Sequence, residues 1–242
     1  MTWRRAFVAL LCLAAGLGVP RPEAGAAAVQ AALVFVHAGR SLAALAPLYA
    51  LRRPLGLGIL PRQPYSVEIS KDAPAHGVEP LLDVPIGGAG GVDAVAAPGP
   101  APRDGEIRRG VLDDFFSAPG VVGMRLDVEA QTAPDEPAVR DVLEVARARG
   151  VWFLDAPGGS AGAGIARTLG VPALVATDEI DASPAPDAIA SRVRALIERA
   201  RTTGQAIGVA RLDGPALAVV ARLLPAFDRA GVVLVPPSAL LR

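Results

Sequence analysis

The chain has 242 residues, is 52% hydrophobic, and sets 24 basic against 24 acidic residues for a formal net charge of zero. That length can bury one sizeable core, so a single domain is expected. With no basic stripe able to neutralise a run of phosphates, nucleic-acid binding is excluded.

The first stretch differs from the rest. "MTWRR" is cationic, "AFVALLCLAAGLG" is apolar, and "PEAGAAA" offers small residues suited to signal-peptidase cleavage. Together they predict a secretory signal over residues 1–26, ahead of one mature domain over residues 27–242. The apolar run is shorter than the roughly 20 residues of a membrane span, so no stable span is expected after cleavage; an uncleaved anchor is the alternative. The one cysteine, Cys12, lies inside this run. The mature domain therefore needs neither a disulfide nor a thiol nucleophile, which suits a bacterial periplasm or secretion.

From Ala27 onward a unit recurs: an amphipathic helical stretch, a glycine, then a short aliphatic run. "AHGVEPLLDVPI", "APGVVGMRLDV", "ARGVWFLDAP", "LGVPALVATDEI", "TTGQAIGVARLD" and "RAGVVLVPPSAL" all follow it. The glycine supplies a left-handed helix end, and the run after it is too continuous for a sheet with one wet face. Between the runs, Val139, Val142, Leu143 and Ala146 keep helical spacing, as do Ile189, Val193, Leu196, Ile197 and Ala200 after a cap expected at Ser183. With "ALVFVHAGR" and "LGLGILP" near the start, about seven or eight parallel strands alternate with helices. An irregular (β/α) barrel is expected, with an open doubly wound sheet as the alternative. Residues 86–106, rich in Gly, Pro and Ala, read as a long loop over one end.

Several of the apolar runs end on aspartate: Asp83, Asp127, Asp155, Asp178 and Asp213. In a parallel barrel all strand C-termini point to one end, so these carboxylates are expected to converge on one mouth, although each could instead cap the next helix.

At these residues the chain resembles the divergent polysaccharide deacetylase family, a branch of the NodB-like carbohydrate deacetylases. The phrases that carry the resemblance are "LGILPRQPYSVEI", "ARGVWFLDA", "LGVPAL" and "GVVLVPPSALL". The resemblance implies a distorted (β/α) barrel, a divalent metal held by aspartate and histidine, and an aspartate base that activates water to remove acetyl groups from amino sugars. The chemical motifs depart from that pattern. Val36 and His37 stand where the family has paired aspartates, Asp83 and Asp127 where it has histidines, and Arg211 at the histidine of a Gly-His-Pro element; Asp155 keeps its family identity. Asp155 and Asp127 are thus the expected catalytic residues, with His37, Asp83, Arg211 and Asp213 expected to line a substrate groove.

Metal-assisted deacetylation needs a cation to polarise the carbonyl and a base to take the proton. The chain has two histidines, His37 and His76, and His76 is expected at a helix end towards the opposite end of the barrel. One histidine among carboxylates is poor for zinc, so no metal is expected as a cofactor; an oxygen-rich site could instead take Mg²⁺, Mn²⁺ or Ca²⁺. "GGSAG" fits a nucleophile elbow at Ser160, but no histidine follows it, and helix capping is the better role. The glycines of "APGGSAGAGIA" are a weak match to a dinucleotide loop. Trp152, Phe115 and Phe116 are expected in the core.

Two functions remain open. One is a catalytically weakened deacetylase relative that binds or scaffolds glycan or peptidoglycan fragments. The other is an active hydrolase using the carboxylates with a hard divalent metal.

Overall fold

The computed structural model describes residues 28–86, 105–128, 136–158 and 161–241. Residues 1–26, where a secretory signal is expected, Ser160 and almost all of the 86–106 stretch lie outside the described residues. The elements run β1 (Gln30–Ala38), α1 (Ala46–Ala50), β2 (Leu55–Ile59), α2 (Ser66–Asp72), β3 (Val78–Ile86), α3 (Glu106–Ser117), β4 (Gly123–Val128), α4 (Glu136–Arg149), β5 (Trp152–Asp155), α5 (Gly162–Leu169), β6 (Ala173–Val175), β7 (Asp178–Glu179), α6 (Pro186–Thr203), β8 (Gln205–Arg211), α7 (Ala216–Arg229) and β9 (Val233–Leu234). Every strand pairing is parallel.

The sheet order is β6-β5-β4-β3-β2-β1-β8-β7. Its two edges, β6 and β7, are halves of one extended segment: Ala176 N–H donates to the Asp155 carbonyl (3.0 Å), and the next residue, Thr177, donates to the Ile207 carbonyl (2.8 Å). The segment thus hands over from β5 to β8 and curls the sheet into an irregular barrel. The expected strand in "LGVPALVATDEI" is therefore two short strands. The one in "RAGVVLVPPSAL" shrinks to β9, which pairs with Gln30 and Ala31 of β1 before β2 begins.

Alternation along the strands sorts the side chains into two layers. Phe35, Leu57, Leu82 and Phe153 pack outward against helix residues such as Val142, Val193, Leu196 and Phe227. The helix faces are those the spacing predicted: Val139, Val142, Leu143 and Ala146 on α4, and Ile189, Val193, Leu196, Ile197 and Ala200 on α6 are all buried. Gly170 and Gly204 close α5 and α6 with φ of 71° and 86°. α6 starts at Pro186 after Ala185, with no side-chain cap, so Ser183 is not the cap residue. Proline needs no N–H partner at a first-turn position, which lets the helix begin without one.

The opposite faces fill the lumen with Ala32, Val34, Val36, Leu81, Trp152, Leu154, Leu174, Ile207 and Leu240. The floor is polar at one point. Glu79 of β3 accepts the Trp152 indole N–H (3.0 Å) on Oε1 and the Ser238 hydroxyl (2.6 Å) on Oε2, tying the C-terminal 3₁₀ turn Pro237–Leu240 under the barrel. The Trp152 indole lies so close over Gly123 that a Cβ there would meet it at 2.5 Å. Phe115 is buried as expected, but Phe116 is 71% exposed; consecutive helical residues lie on different faces, and α3 turns only one of them inward.

Trp152→Ala should leave a cavity above Gly123 and strand the Glu79 acceptor, lowering stability by about 3–5 kcal/mol. Equilibrium denaturant unfolding measures this loss.

Candidate functional site

At the C-terminal ends of β1, β3 and β4 four side chains meet in the barrel mouth. Asp83 is fully buried. Its Oδ1 accepts from the Arg125 guanidinium (3.0 Å), and its Oδ2 from the backbone N–H of His37 (2.9 Å). Asp127 Oδ1 lies 3.0 Å from His37 Nε2 and 3.5 Å from Arg125 Nη2. Arg125 and Asp127 sit two apart on β4, so the pleat points both into the lumen.

Local backbone chemistry makes the meeting possible. β1 and β2 pair Phe35 with Leu57 but Ala38 with Ile59, so β1 carries one extra residue at this point. Such a bulge bends the strand and releases a residue from the ladder. His37 has φ 68°, an uncommon conformation for a residue with a side chain. Its N–H, turned out of the ladder, is the one Asp83 accepts. β2 lies between β1 and β3, and its residue at this level is Gly58. A Cβ on Gly58 would collide with both carboxylate oxygens of Asp83. The glycine is the gap through which β3 reaches β1.

The charges respond to these contacts. Burial pushes the Asp83 pKa above its ordinary 3.8, and the Arg125 guanidinium pulls against it. Both oxygens accept N–H groups, the pattern of an ionised carboxylate. Burial alone would raise Asp127 as well, but the His37 hydrogen bond and Arg125 outweigh it and hold that group below 3.8. The Asp127 hydrogen bond raises His37 above 6.5 against the opposing effect of burial. Burial disfavours charge on Arg125 too, yet Asp83 and Asp127 overcome it and raise its pKa further.

Of the residues expected from sequence, His37, Asp83 and Asp127 come together here. Asp213 follows β8 and shares with His37, Arg40 and Ser41 a cavity of about 80 Å³. The other strand-end acids do not converge. Asp155 is 3% exposed; its two oxygens accept the N–H groups of Ala156 (2.9 Å) and Ala163 (2.8 Å), fastening β5 to the first turn of α5. Asp178 faces outward to Arg199 of α6 (2.9 Å). Arg211 donates from Nε and from its backbone N–H to buried Asp181, each at 3.1 Å. His76 ends a 3₁₀ turn before β3, the helix end expected for it, and there stacks on Tyr49 at 3.9 Å.

Arg125 is the residue that sequence reasoning missed. Its signal was present: a charge inside the apolar run "VVGMRLDV", two residues before an aspartate, must lie on that aspartate's face and needs a partner there.

Among the described residues no group of three or more His, Cys, Asp or Glu side chains is arranged to hold a metal ion. The donor chemistry gives the reason. Both Asp83 oxygens, Asp127 Oδ1 and His37 Nε2 are engaged with one another or with Arg125, whose guanidinium lies between the carboxylates where a cation would sit. These residues as arranged do not fit a metal.

A parallel, helix-flanked barrel with polar side chains gathered at the C-terminal strand ends is the architecture of a (β/α)-barrel protein with its site at the mouth. A profile of the divergent polysaccharide deacetylase family matches residues 34–241, and the chain belongs to that family. Among solved structures, an uncharacterized protein from Agrobacterium tumefaciens C58 is similar at 24% identity and TM-score 0.72, over 91% of this chain and 92% of that one. The catalytic domain of a peptidoglycan N-acetylglucosamine deacetylase from Eubacterium rectale ATCC 33656 is similar at 12% identity and TM-score 0.52, over 89% and 94%. Both share the fold. No curated protein matches the chain. Among the described residues no helix is long and apolar enough to cross a membrane.

Two outcomes check this geometry. Gly58→Ala drives a methyl group into the Asp83 carboxylate and should cost about 1–3 kcal/mol, whereas Gly164→Ala, with nothing within 4 Å of its Cβ, should cost nothing; thermal unfolding of the pair compares them. Because His37 is raised above 6.5 when folded, its contribution is fully present below that pH and lost as pH rises through the folded value. His37→Gln should remove that slope, about 0.5–1.5 kcal/mol, from stability measured between about pH 6 and pH 9.

Proposed function

We propose that this chain is an exported, catalytically impaired member of its family that binds or scaffolds amino-sugar polymers of the cell wall. The observation that carries this reading is the engagement of Asp83 and Asp127 by Arg125 and His37. A deacetylase mouth must present free lone pairs to activate water and an electrophile for the acetyl carbonyl. Here those lone pairs hold a guanidinium, and Asp155 serves the backbone of α5. Family membership and a neighbour named for peptidoglycan N-acetylglucosamine support the class of ligand. The cationic and apolar start over residues 1–26 supports export to the periplasm or beyond.

A second reading rests on the contact between His37 and Asp127. A half-buried histidine held 3.0 Å from a carboxylate resembles a general base with its orienting partner. On this reading the chain is an active hydrolase whose base is His37 rather than an aspartate.

The two separate in solution. Calorimetry with peptidoglycan fragments and chitooligosaccharides should show binding, while acetate release from the same acetylated substrates stays at background with or without Mn²⁺, Mg²⁺ or Zn²⁺. Acetate release that Asp127→Asn abolishes would establish the second reading, and absence of binding to every glycan would remove the first.

A further inference from the structure

We propose that Arg125 is the resident cation of the barrel mouth, occupying with a side chain the place between Asp83, Asp127 and His37 that a divalent metal ion would otherwise take, and that removing it uncovers a metal-binding site.

The placement supports this step by step. Asp83 is wholly buried, and a buried carboxylate must be compensated by a cation. The Arg125 side chain is 15% exposed and reaches both acids, at 3.0 Å and 3.5 Å. His37 Nε2 approaches the same Asp127 oxygen from the other side, at 3.0 Å. Two carboxylates and an imidazole, carried on different strands and facing one point, are donors that Zn²⁺ and Mn²⁺ accept. Gly58 keeps β2 from interposing a side chain between them. The charge that occupies this point is the guanidinium, which holds it at any ordinary pH, whereas a bound ion can leave. The charge balance of the mouth is thus completed from within the chain. This inference concerns the cation and stands apart from glycan binding, which calorimetry reads separately.

The test uses the full chain. Purified wild type should contain well below one equivalent of metal by elemental analysis, and its Tm should be unmoved by EDTA or by excess Zn²⁺ or Mn²⁺. Arg125→Ala should melt lower than wild type and then regain about 5–10 °C when either ion is supplied at about a hundredfold excess over its Kd. Adding Asp83→Asn to that variant should abolish the gain. If Arg125→Ala does not yield folded protein, Arg125→Gln, which keeps the bulk and loses the charge, should show the same rise. Wild type that holds one equivalent of metal and loses Tm in EDTA would overturn the proposal, as would a folded Arg125 variant whose Tm ignores both ions.

Discussion

The structure turns on one ion pair inside a barrel, Arg125 against Asp83. Two charges taken out of water cost several kcal/mol each unless geometry returns the loss. Here it is returned by a contact at 3.0 Å, by a backbone N–H on the second Asp83 oxygen, and by Asp127 on the far side of the guanidinium. Removing one partner of such an arrangement leaves the other buried and unpaired, which is why the neighbouring backbone conforms to it. The bulge in β1, the positive φ of His37 and the bare Gly58 of β2 all bring groups into reach of Asp83. The strain at His37 is local, and the hydrogen bond to a buried carboxylate is what holds it.

The same pair sets the chemical character of the mouth. A carboxylate that activates water must have a lone pair free and a proton affinity suited to the task, and a metal site must leave a coordination position open. Asp83 has neither oxygen free, and Asp127 sits below its ordinary pKa because the His37 hydrogen bond and the Arg125 guanidinium outweigh its burial. The fold of a carbohydrate deacetylase is thus present while the arrangement at its strand ends is self-contained. Asp155 accepts a backbone N–H on each oxygen and so positions α5. Residue identity alone did not reveal this, because a cap and a catalytic base look alike in sequence.

Much of the architecture was legible. Aliphatic runs after helix-ending glycines located the strands, and the 3.6-residue spacing located the buried faces of α4 and α6. Those signals are strong because burial acts on many residues at once. His37, Asp83 and Asp127 were legible for the same reason, as polar residues closing apolar runs. Three features were not. The division of residues 173–179 between β6 and β7 depends on which neighbour accepts each hydrogen bond, not on hydrophobic pattern. The bulge at His37 depends on a register slip against β2. The convergence of five aspartates failed at Asp155 and Asp178 because a strand end offers three local options: the lumen, the next helix or the outer layer. The choice is made by a partner distant in sequence, as Arg199 shows for Asp178.

The polar floor bears on how the chain acquires its shape. Ser238 and Glu79 are 159 residues apart, and β9 meets β1 across a still longer span. Contacts of such separation pay their loop-closure entropy before they return any stability. Until residues 233–240 are available, Trp152 and Glu79 lack their lower neighbours and β1 has an unpaired flank below β2. The N-terminal strands of a chain still being made cannot settle into their final lumen. The barrel is therefore completed late, once its last strand and the C-terminal turn have been made.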